Sequence, residues 1–274
     1  MMAMKKIIDF GQFLNKINES NLDVSLVGKI DYTLLAPEAT EDQIVELCEK
    51  AKVLGVKSVC VLPKMVRVAA EVLEGSKVLT CTVVSFPHGT DTPEQKLAET
   101  RLCIASGADE VDMVLNYPKL QKMVDEITDE ITNDEEIEYS LVNEVSMLAD
   151  ECHRRKNKLG EHIVLKVIVE SSCLDDVATE EATHICLDAG ADFIKTSTGM
   201  MTPSGEPGVA ELDKVKIMRN TIDQEGSDMK IKASGGIRTM ADLQKFEPYV
   251  DRFGVGFAAV DSIFGGAVAG ENTY

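Results

Sequence analysis

The 274-residue chain lacks several features that would place it in familiar classes of protein. No apolar run reaches the roughly 18 residues that a membrane-spanning helix needs, and the MMAMKK start has no secretory apolar region or cleavage site. The seven cysteines are an odd number without C-x-x-C spacing, which is typical of reduced thiols rather than of a disulfide framework or a zinc site. We therefore expect a cytoplasmic protein that holds no metal.

Positive charge is also scarce in this chain. Lysine and arginine number 28 against 47 aspartates and glutamates, which gives a formal net charge of -19. Nucleic acids and anionic membrane surfaces would repel such a chain at long range, so neither is expected as a partner. A phosphorylated substrate would require a site that is locally basic against this acidic background.

The hydrophobic pattern predicts an α/β protein, because short β-branched runs alternate with longer amphipathic runs. The predicted strands are Leu26–Leu34, Lys57–Leu62, Leu79–Phe86, Glu110–Leu115, Ile163–Glu170, Phe193–Thr198, Lys230–Ser234 and Arg252–Gly256. The predicted helices are Thr40–Leu54, Lys64–Leu73, Pro93–Ser106, Glu135–Lys156, Thr179–Ala189, Val209–Thr221 and Met240–Phe246. Repeated strand and helix units over this length predict a single-domain (β/α)8 TIM barrel, with an open doubly wound sheet as the alternative.

Two predicted strands carry a lysine just before a loop of small residues. Lys195 lies in FIKTSTG at 193–199, and Lys232 lies in KIKASGGIR at 230–238. A desolvated lysine loses its proton more readily than one in water, and a second cation nearby has the same effect. The pair predicts Lys195 as an amine nucleophile that forms a Schiff base, with Lys232 as its electrostatic partner. The alternative is a strand-end lysine whose ammonium reaches water.

An acidic residue lies within a third apolar strand. Asp112, in EVDMVLN at 110–116, is a candidate for the proton transfers that Schiff-base chemistry requires. It can also act as the counter-ion of Lys166 in a neighbouring strand, and the two roles are compatible. After Lys232, Gly235 and Gly236 have no side chains, so their backbone N–H groups can approach a phosphate closely.

Polar or reactive residues lie in or at the ends of six predicted strands. They are Asp31, Cys60, Asp112, Lys166, Lys195 and Lys232. Buried charges are costly unless they share one polar site, and the C-terminal ends of barrel strands provide such a site.

Seven ordered motifs resemble the deoxyribose-phosphate aldolases, a family of class I, Schiff-base aldolases. The motifs are IDYTL at 30–34, VCVLP at 59–63, SFPHG at 85–89, EVD at 110–112, LKVIVE at 165–170, FIKTSTG at 193–199 and KASGGIRT at 232–239. The resemblance covers nearly the whole chain after residue 23. It implies reversible cleavage of 2-deoxy-D-ribose 5-phosphate to acetaldehyde and D-glyceraldehyde 3-phosphate in deoxyribonucleoside catabolism, without a metal or cofactor.

The resemblance also implies roles for individual residues. Lys195 forms the Schiff base, and Lys232 perturbs its ionisation. Asp112 relays protons with help from Lys166. The implied substrate-binding positions are Asp31, Thr33, Cys60, Thr198, Gly199, Gly235, Gly236 and Gly256.

The domain limits follow from the same resemblance. Residues 1–23 are expected to form an N-terminal extension, residues 24–264 the barrel, and residues 265–274 a flexible tail. Some members of the family end in a tyrosine on a mobile tail that carries a proton, so Tyr274 is a possible proton relay. The family also implies a homodimer or a higher homo-oligomer.

Two departures from the family pattern are visible. In RFGVGFA at 252–258, Phe257 stands where small and hydroxyl residues usually complete a phosphate site. Its bulk predicts weaker phosphate binding and better acceptance of unphosphorylated aldehydes. The acidic segment 121–139 is expected to be a loop and helix extension at the rim.

Two functions from other classes stay open on the sequence alone. One is a barrel isomerase that acts on a sugar phosphate without covalent catalysis. The other is a binding protein that has lost its catalytic activity.

Overall fold

The fold is a closed barrel of parallel strands. The computed structural model describes residues 24–127 and 134–265. Within them, eight strands follow one another in sequence order, and β1 pairs with both β2 and β8. The strands are β1 Ile30–Leu34, β2 Ser58–Val61, β3 Leu79–Val84, β4 Glu110–Val114, β5 Val164–Ile168, β6 Phe193–Lys195, β7 Lys230–Ser234 and β8 Arg252–Gly256. The predicted (β/α)8 barrel is confirmed, and the open sheet is excluded.

Helices surround this barrel. They are α1 Val24–Val27, α2 Glu41–Leu54, α3 Val66–Val72, α4 Pro93–Ala105, α5 Tyr117–Ile127, α6 Asp134–His153, α7 Asp176–Asp188, α8 Leu212–Gln224, α9 Met240–Phe246 and α10 Val260–Gly265. Short 3₁₀ helices lie at Pro63–Met65, Ser171–Cys173 and Phe257–Ala259. In the described parts of the chain, no helix combines the length and apolar character that crossing a membrane requires.

Local sequence signals determine where several helices begin. Thr40 caps α2, and its hydroxyl accepts from the backbone N–H of Gln43 while the Gln43 side chain accepts from the Thr40 backbone. Thr92 caps α4 in the same reciprocal way, with Pro93 in the first turn. Each cap satisfies backbone N–H groups that have no partner within the helix.

Several predicted boundaries are wrong for identifiable reasons. Residues 24–27 form α1 rather than the start of β1, so that strand is shorter than predicted. Strand β6 ends at Lys195, and the Thr196 hydroxyl donates to the Ser234 carbonyl as the loop begins. Helix α7 begins at Asp176, where the Asp175 side chain caps it by accepting from the Ala178 N–H.

Residues 121–127 and 134–139 of the acidic segment fall on the end of α5 and the start of α6, and residues 128–133 lie outside the described residues. Helix α5 was not among the predicted elements. The predictions for residues 1–23, for the tail from 266 to 274 and for Tyr274 lie outside the described residues.

Alternate residues of each strand face different surroundings. Tyr32 and Met113 are fully buried in the apolar layer between the barrel and its helices. Asp31 and Asp112, one position earlier in each strand, meet the lysines inside the barrel. The two-residue period of a β-strand therefore separates an apolar exterior layer from a charged interior.

Candidate active site

Four cations and three carboxylates form one cluster inside the barrel. None of these residues is more than 5% exposed. If all are ionised, the cluster carries one excess positive charge. We name the following residues the interior cluster: Asp31, Glu110, Asp112, Lys166, Lys195, Lys232 and Arg252.

The carboxylate of Asp112 lies at the centre of the interior cluster. Its Oδ2 accepts from Lys195 Nζ and from Lys232 Nζ, each at 2.8 Å. Its Oδ1 accepts from Lys166 Nζ at 2.8 Å. Burial by itself raises the pKa of Asp112, but the three ammonium groups outweigh burial and hold it well below its ordinary value. Asp112 is therefore a stable anion that joins three predicted catalytic lysines.

Lys232 is bound from two sides. Besides Asp112, its Nζ lies 2.5 Å from Asp31 Oδ2. Burial lowers the pKa of Lys232, yet the two carboxylates outweigh it and raise the pKa above the usual lysine value. The expectation that paired lysines simply depress each other is wrong for Lys232, because it did not include these intervening carboxylates.

Glu110 and Arg252, the first residues of β4 and β8, lie at the N-terminal end of the interior cluster. The sequence predictions did not assign a role to either. Lys166 Nζ lies 2.8 Å from Glu110 Oε2, and Arg252 Nη2 lies 3.0 Å from Glu110 Oε1. Arg252 also binds Asp31, at 2.5 Å between Nη1 and Oδ1. A usable signal existed: Glu110 precedes Asp112 by two residues, so both must face the same side of β4.

Lys195 has the fewest ionic partners of the three lysines. Among the described residues its Nζ forms an ion pair with Asp112 alone, whereas Lys166 Nζ lies within 3.8 Å of Asp31, Glu110 and Asp112. It is also the last residue of β6, at the C-terminal end of the strand. Deprotonating Lys195 would disrupt less ion pairing than deprotonating Lys166.

The loop after β6 is fixed by a buried glutamate that the sequence predictions quoted but did not use. Glu170 is 1% exposed and has a φ of 49°. Its Oε2 accepts from the N–H of Thr198 at 3.1 Å and from the Thr198 hydroxyl at 2.5 Å. Burial raises the pKa of Glu170, against the opposing effect of these hydrogen bonds. Thr198 and Gly199, whose φ is 80°, thus lie directly beyond Lys195 at the same rim.

The Gly-Gly turn after β7 packs against the same loop. Gly235 and Gly236 have φ values of 87° and 75°, a region that favours glycine. A Cβ on Gly235 would lie 2.4 Å from the carbonyl oxygen of Gly208. The hydroxyl of Ser234 donates to the Ser197 carbonyl, which joins the ends of β6 and β7. The predicted phosphate cradle therefore lies at the C-terminal rim, near Lys195.

Cys60 and Thr33 lie on the other side of the barrel. The Thr33 hydroxyl donates to the Asp31 carbonyl at 3.0 Å. Cys60 pairs in register with Cys81 of β3, and the two sulfurs and an Asp112 oxygen lie within 4.8 Å of one another. The hydrogen bond from Cys81 lowers the pKa of Cys60. Cys81 also lies 3.2 Å from Asp112 Oδ1, a contact that the sequence predictions missed.

Phe257 does not point into the barrel. Its ring stacks on the ring of Tyr32 with centroids 5.7 Å apart, and Lys50 Nζ lies 5.0 Å from its centroid. Tyr32 belongs to the outer apolar layer, so Phe257 places its bulk there as well. The steric reason for expecting weak phosphate binding is therefore removed, whereas Gly256 stays at the end of β8 with its backbone at the rim.

A closed β/α barrel with lysines around one buried carboxylate has the architecture of a class I aldolase. The model of the DeoC/LacD family aldolases matches residues 26–273, and the chain belongs to this family. A deoxyribose-phosphate aldolase of Streptococcus gordonii is 41% identical over 217 residues, which cover 79% of this chain and 86% of the relative. One of a Geobacillus species is 36% identical over 253 residues, covering 92% of this chain and 100% of the relative.

Solved structures of deoxyribose-phosphate aldolases are also similar to this chain. A candidate deoxyribose-phosphate aldolase from Coccidioides immitis superposes with a TM-score of 0.75 at 32% identity, covering 88% of this chain and 85% of that chain. The aldolase from Aeropyrum pernix, described as a tetramer, gives a TM-score of 0.70 at 26% identity, covering 90% and 93%.

Proposed function

We propose that the chain catalyses the reversible cleavage of 2-deoxy-D-ribose 5-phosphate to acetaldehyde and D-glyceraldehyde 3-phosphate, with Lys195 as the Schiff-base nucleophile. The observation that carries the proposal is the sharing of Asp112 Oδ2 by Lys195 and Lys232, each at 2.8 Å. The names of the relatives support the substrate, because these proteins are matched over at least 86% of their own length.

The first step requires Lys195 to lose a proton. The interior cluster carries one excess positive charge when fully ionised, so the loss of one proton makes it neutral. The free electron pair of Lys195 Nζ then attacks C1 of the open-chain sugar and forms a C–N bond. The carbonyl oxygen takes up two protons, one of which is lost by Lys195 Nζ, and leaves as water. The resulting iminium restores the positive charge beside Asp112, where a carboxylate stabilises it.

The second step breaks the C2–C3 bond. A base removes the proton of the C3 hydroxyl, C3 of the sugar becomes the aldehyde carbon of glyceraldehyde 3-phosphate, and the C2–C3 bonding pair moves towards the iminium to give an enamine. Protonation at C2 and addition of water then release acetaldehyde and Lys195. Because lysines hold the pKa of Asp112 low, Asp112 relays a proton rather than storing one.

The phosphate end of the substrate is assigned to the rim formed by Gly235, Gly236 and Gly256. Backbone N–H groups of a glycine turn can approach an anion closely, and the excess positive charge of the interior cluster also attracts it. Asp31, Thr33, Cys60, Thr198 and Gly199 are assigned to the sugar. We extend the proposal to a homo-oligomer that acts in the cytoplasm, and the tetrameric Aeropyrum pernix relative supports the first part.

Trapping of the imine tests the proposal. The protein is incubated with acetaldehyde and borohydride, and its intact mass is measured beside Lys195→Ala. The expected result is one added ethyl group of roughly 28 Da, mapped to Lys195 and absent from the variant, together with loss of turnover.

The matched control is Lys230→Ala, which removes an exposed lysine at the other end of β7. It should keep both the adduct and turnover. An adduct that survives Lys195→Ala, or substantial turnover in that variant, would favour the isomerase without covalent catalysis.

A further inference from the structure

A second group of metal-ligating side chains lies at the opposite end of the barrel from Lys195. His153 is the last residue of α6, and Asp192 directly precedes β6. His162 lies two residues before β5. Because His162 and Asp192 adjoin the N-terminal ends of their strands, the group is separated from the C-terminal rim by the length of the barrel. We name these three residues the histidine–aspartate cluster.

The three side chains converge on one point. His153 Nε2 lies 3.0 Å from Asp192 Oδ2, and His162 Nε2 lies 2.9 Å from Asp192 Oδ1. The two imidazole rings meet edge to face, with centroids 4.8 Å apart. All three ligand atoms lie within 4.8 Å of one another. Two of the four histidines of the chain thus direct the same ring nitrogen to separate oxygens of one carboxylate.

Asp192 is anchored by contacts that leave it facing the histidines. Its Oδ2 accepts from the Leu165 backbone N–H at 2.8 Å. Its own backbone pairs with both neighbouring strands, since its N–H donates to the Leu165 carbonyl and its carbonyl accepts from the Lys230 N–H. Such an outer hydrogen bond to a ligating carboxylate is the kind of support that orients metal ligands.

His162 is also held in place. It closes a hairpin by pairing with Lys156 in an antiparallel bridge, and the Asn157 side chain accepts from the N–H groups of Leu159 and Glu161 inside that hairpin. The imidazoles of His153 and His162 are still 37% and 48% exposed, so both rings can adjust. A solvent-open cavity of about 870 Å³, lined by His162 and Asp192, admits an ion and the water that completes its shell.

We propose that the histidine–aspartate cluster binds a divalent transition-metal ion of the zinc type. Two imidazole nitrogens and a carboxylate oxygen are ligands that zinc takes, with water in the remaining position. Tetrahedral ligand atoms about 2.0–2.1 Å from zinc lie roughly 3.3 Å apart, so the cluster needs only small side-chain movements to admit the ion. The metal would join the end of α6 to the start of β6, away from the reacting lysine.

Zinc binding to the full-length protein tests the inference. After chelator treatment, Zn²⁺ is titrated by calorimetry, and Co²⁺ is added as an absorbing probe. We expect one equivalent of Zn²⁺ to bind, a visible Co²⁺ spectrum, and a higher unfolding temperature with Zn²⁺. His153→Gln and His162→Gln should each weaken binding by at least about tenfold.

The matched control is His184→Gln, because His184 is 38% exposed and lies 3.9 Å from a single carboxylate, that of Glu225. This variant should bind Zn²⁺ like the unmodified protein. Thermal unfolding without metal shows whether each variant folds. The inference is overturned if no Zn²⁺ binds, or if binding survives both histidine substitutions, as it would at a thiol.

Discussion

The interior cluster and the Lys96–Glu144 pair in the helix layer bury their charges in different ways. Lys96 of α4 donates to Glu144 of α6 at 2.6 Å, and both residues are less than 5% exposed. Burial lowers the pKa of Lys96 and raises the pKa of Glu144, so it disfavours both charges. In the interior cluster, Asp112 is equally buried, yet its pKa is lowered because three lysines surround it.

The difference follows from the number of opposite charges around each ion. A single partner does not fully offset the desolvation of Lys96 and Glu144, whereas several partners keep the interior cluster ionised. The helix-layer pair therefore joins two helices, and the interior cluster holds its charges in a network, which we propose serves proton transfer. Substitutions in the Lys96–Glu144 pair should change mainly stability, and those in the interior cluster mainly turnover.

The largest expected effect is that of Lys232→Met on turnover. The substitution leaves three cations and three carboxylates in the interior cluster, and Asp31 keeps Arg252 as a partner. Turnover should fall by about 10²- to 10⁴-fold, the usual contribution of a group that assists proton transfer. Steady-state kinetics and thermal unfolding are measured beside Lys230→Met. A large loss of stability with nearly normal turnover would contradict the claim that the interior cluster serves mainly turnover.

Glu144→Ala should lower stability and leave turnover nearly unchanged, the opposite of Lys232→Met. In the described part of the chain, Glu144→Ala leaves the buried ammonium of Lys96 with the Val114 carbonyl, at 2.8 Å, as its one hydrogen-bond partner. Breaking a buried pair in this way costs about 3–5 kcal/mol, which urea unfolding measures, while the folded protein keeps its turnover.

The double variant Lys96→Met with Glu144→Met is the control for this effect. It removes both charges and keeps most of the volume, so it should recover most of the lost stability. If the double variant is as unstable as Glu144→Ala, packing rather than charge would explain the loss.

Acid unfolding sharpens the comparison through Asp31. Burial raises the pKa of Asp31, but Arg252 and Lys232 outweigh it and hold the pKa below its ordinary value. A carboxyl with a lowered folded pKa stabilises the protein above its unfolded pKa of about 3.9, and this stability is lost as the pH falls further. Asp31→Asn should therefore flatten the decline in stability below about pH 4. If the free energy of unfolding declines as steeply in the variant, carboxylates other than Asp31 cause the decline.

A smaller effect separates two buried thiols. Cys81 lies 3.2 Å from Asp112 Oδ1, whereas Cys186 is buried among apolar residues of the helix layer. Cys81→Ala removes one hydrogen bond of about 1 kcal/mol, so turnover should fall roughly fivefold. Cys186→Ala should lower stability and leave turnover unchanged. Equal effects of the two substitutions on turnover would show that Cys81 acts only through packing.

The sequence predicted the interior cluster only in part. Asp31, Asp112 and Lys232 lie in or at the ends of predicted strands, and the cost of isolated buried charges predicted that they share one polar site. The structure joins them within one cluster. The sequence did not reveal Arg252 as a partner of Asp31, because β1 and β8 become neighbours only when the barrel closes. The outward position of Phe257 was also missed, because its contact with Tyr32 joins the first strand to the segment after the last one.

Phe257 gives the last prediction, in which no change in substrate preference is expected. Phe257 stacks on Tyr32 in the outer layer, so Phe257→Ser should lose about 1–2 kcal/mol of stability through lost burial. The ratio of kcat/KM for 2-deoxyribose 5-phosphate to that for 2-deoxyribose should stay unchanged, because no bulk is removed from the rim. A clear rise in this ratio would mean that the serine hydroxyl reaches the phosphate. Position 257 would then belong to the substrate-binding interior rather than to the outer apolar layer.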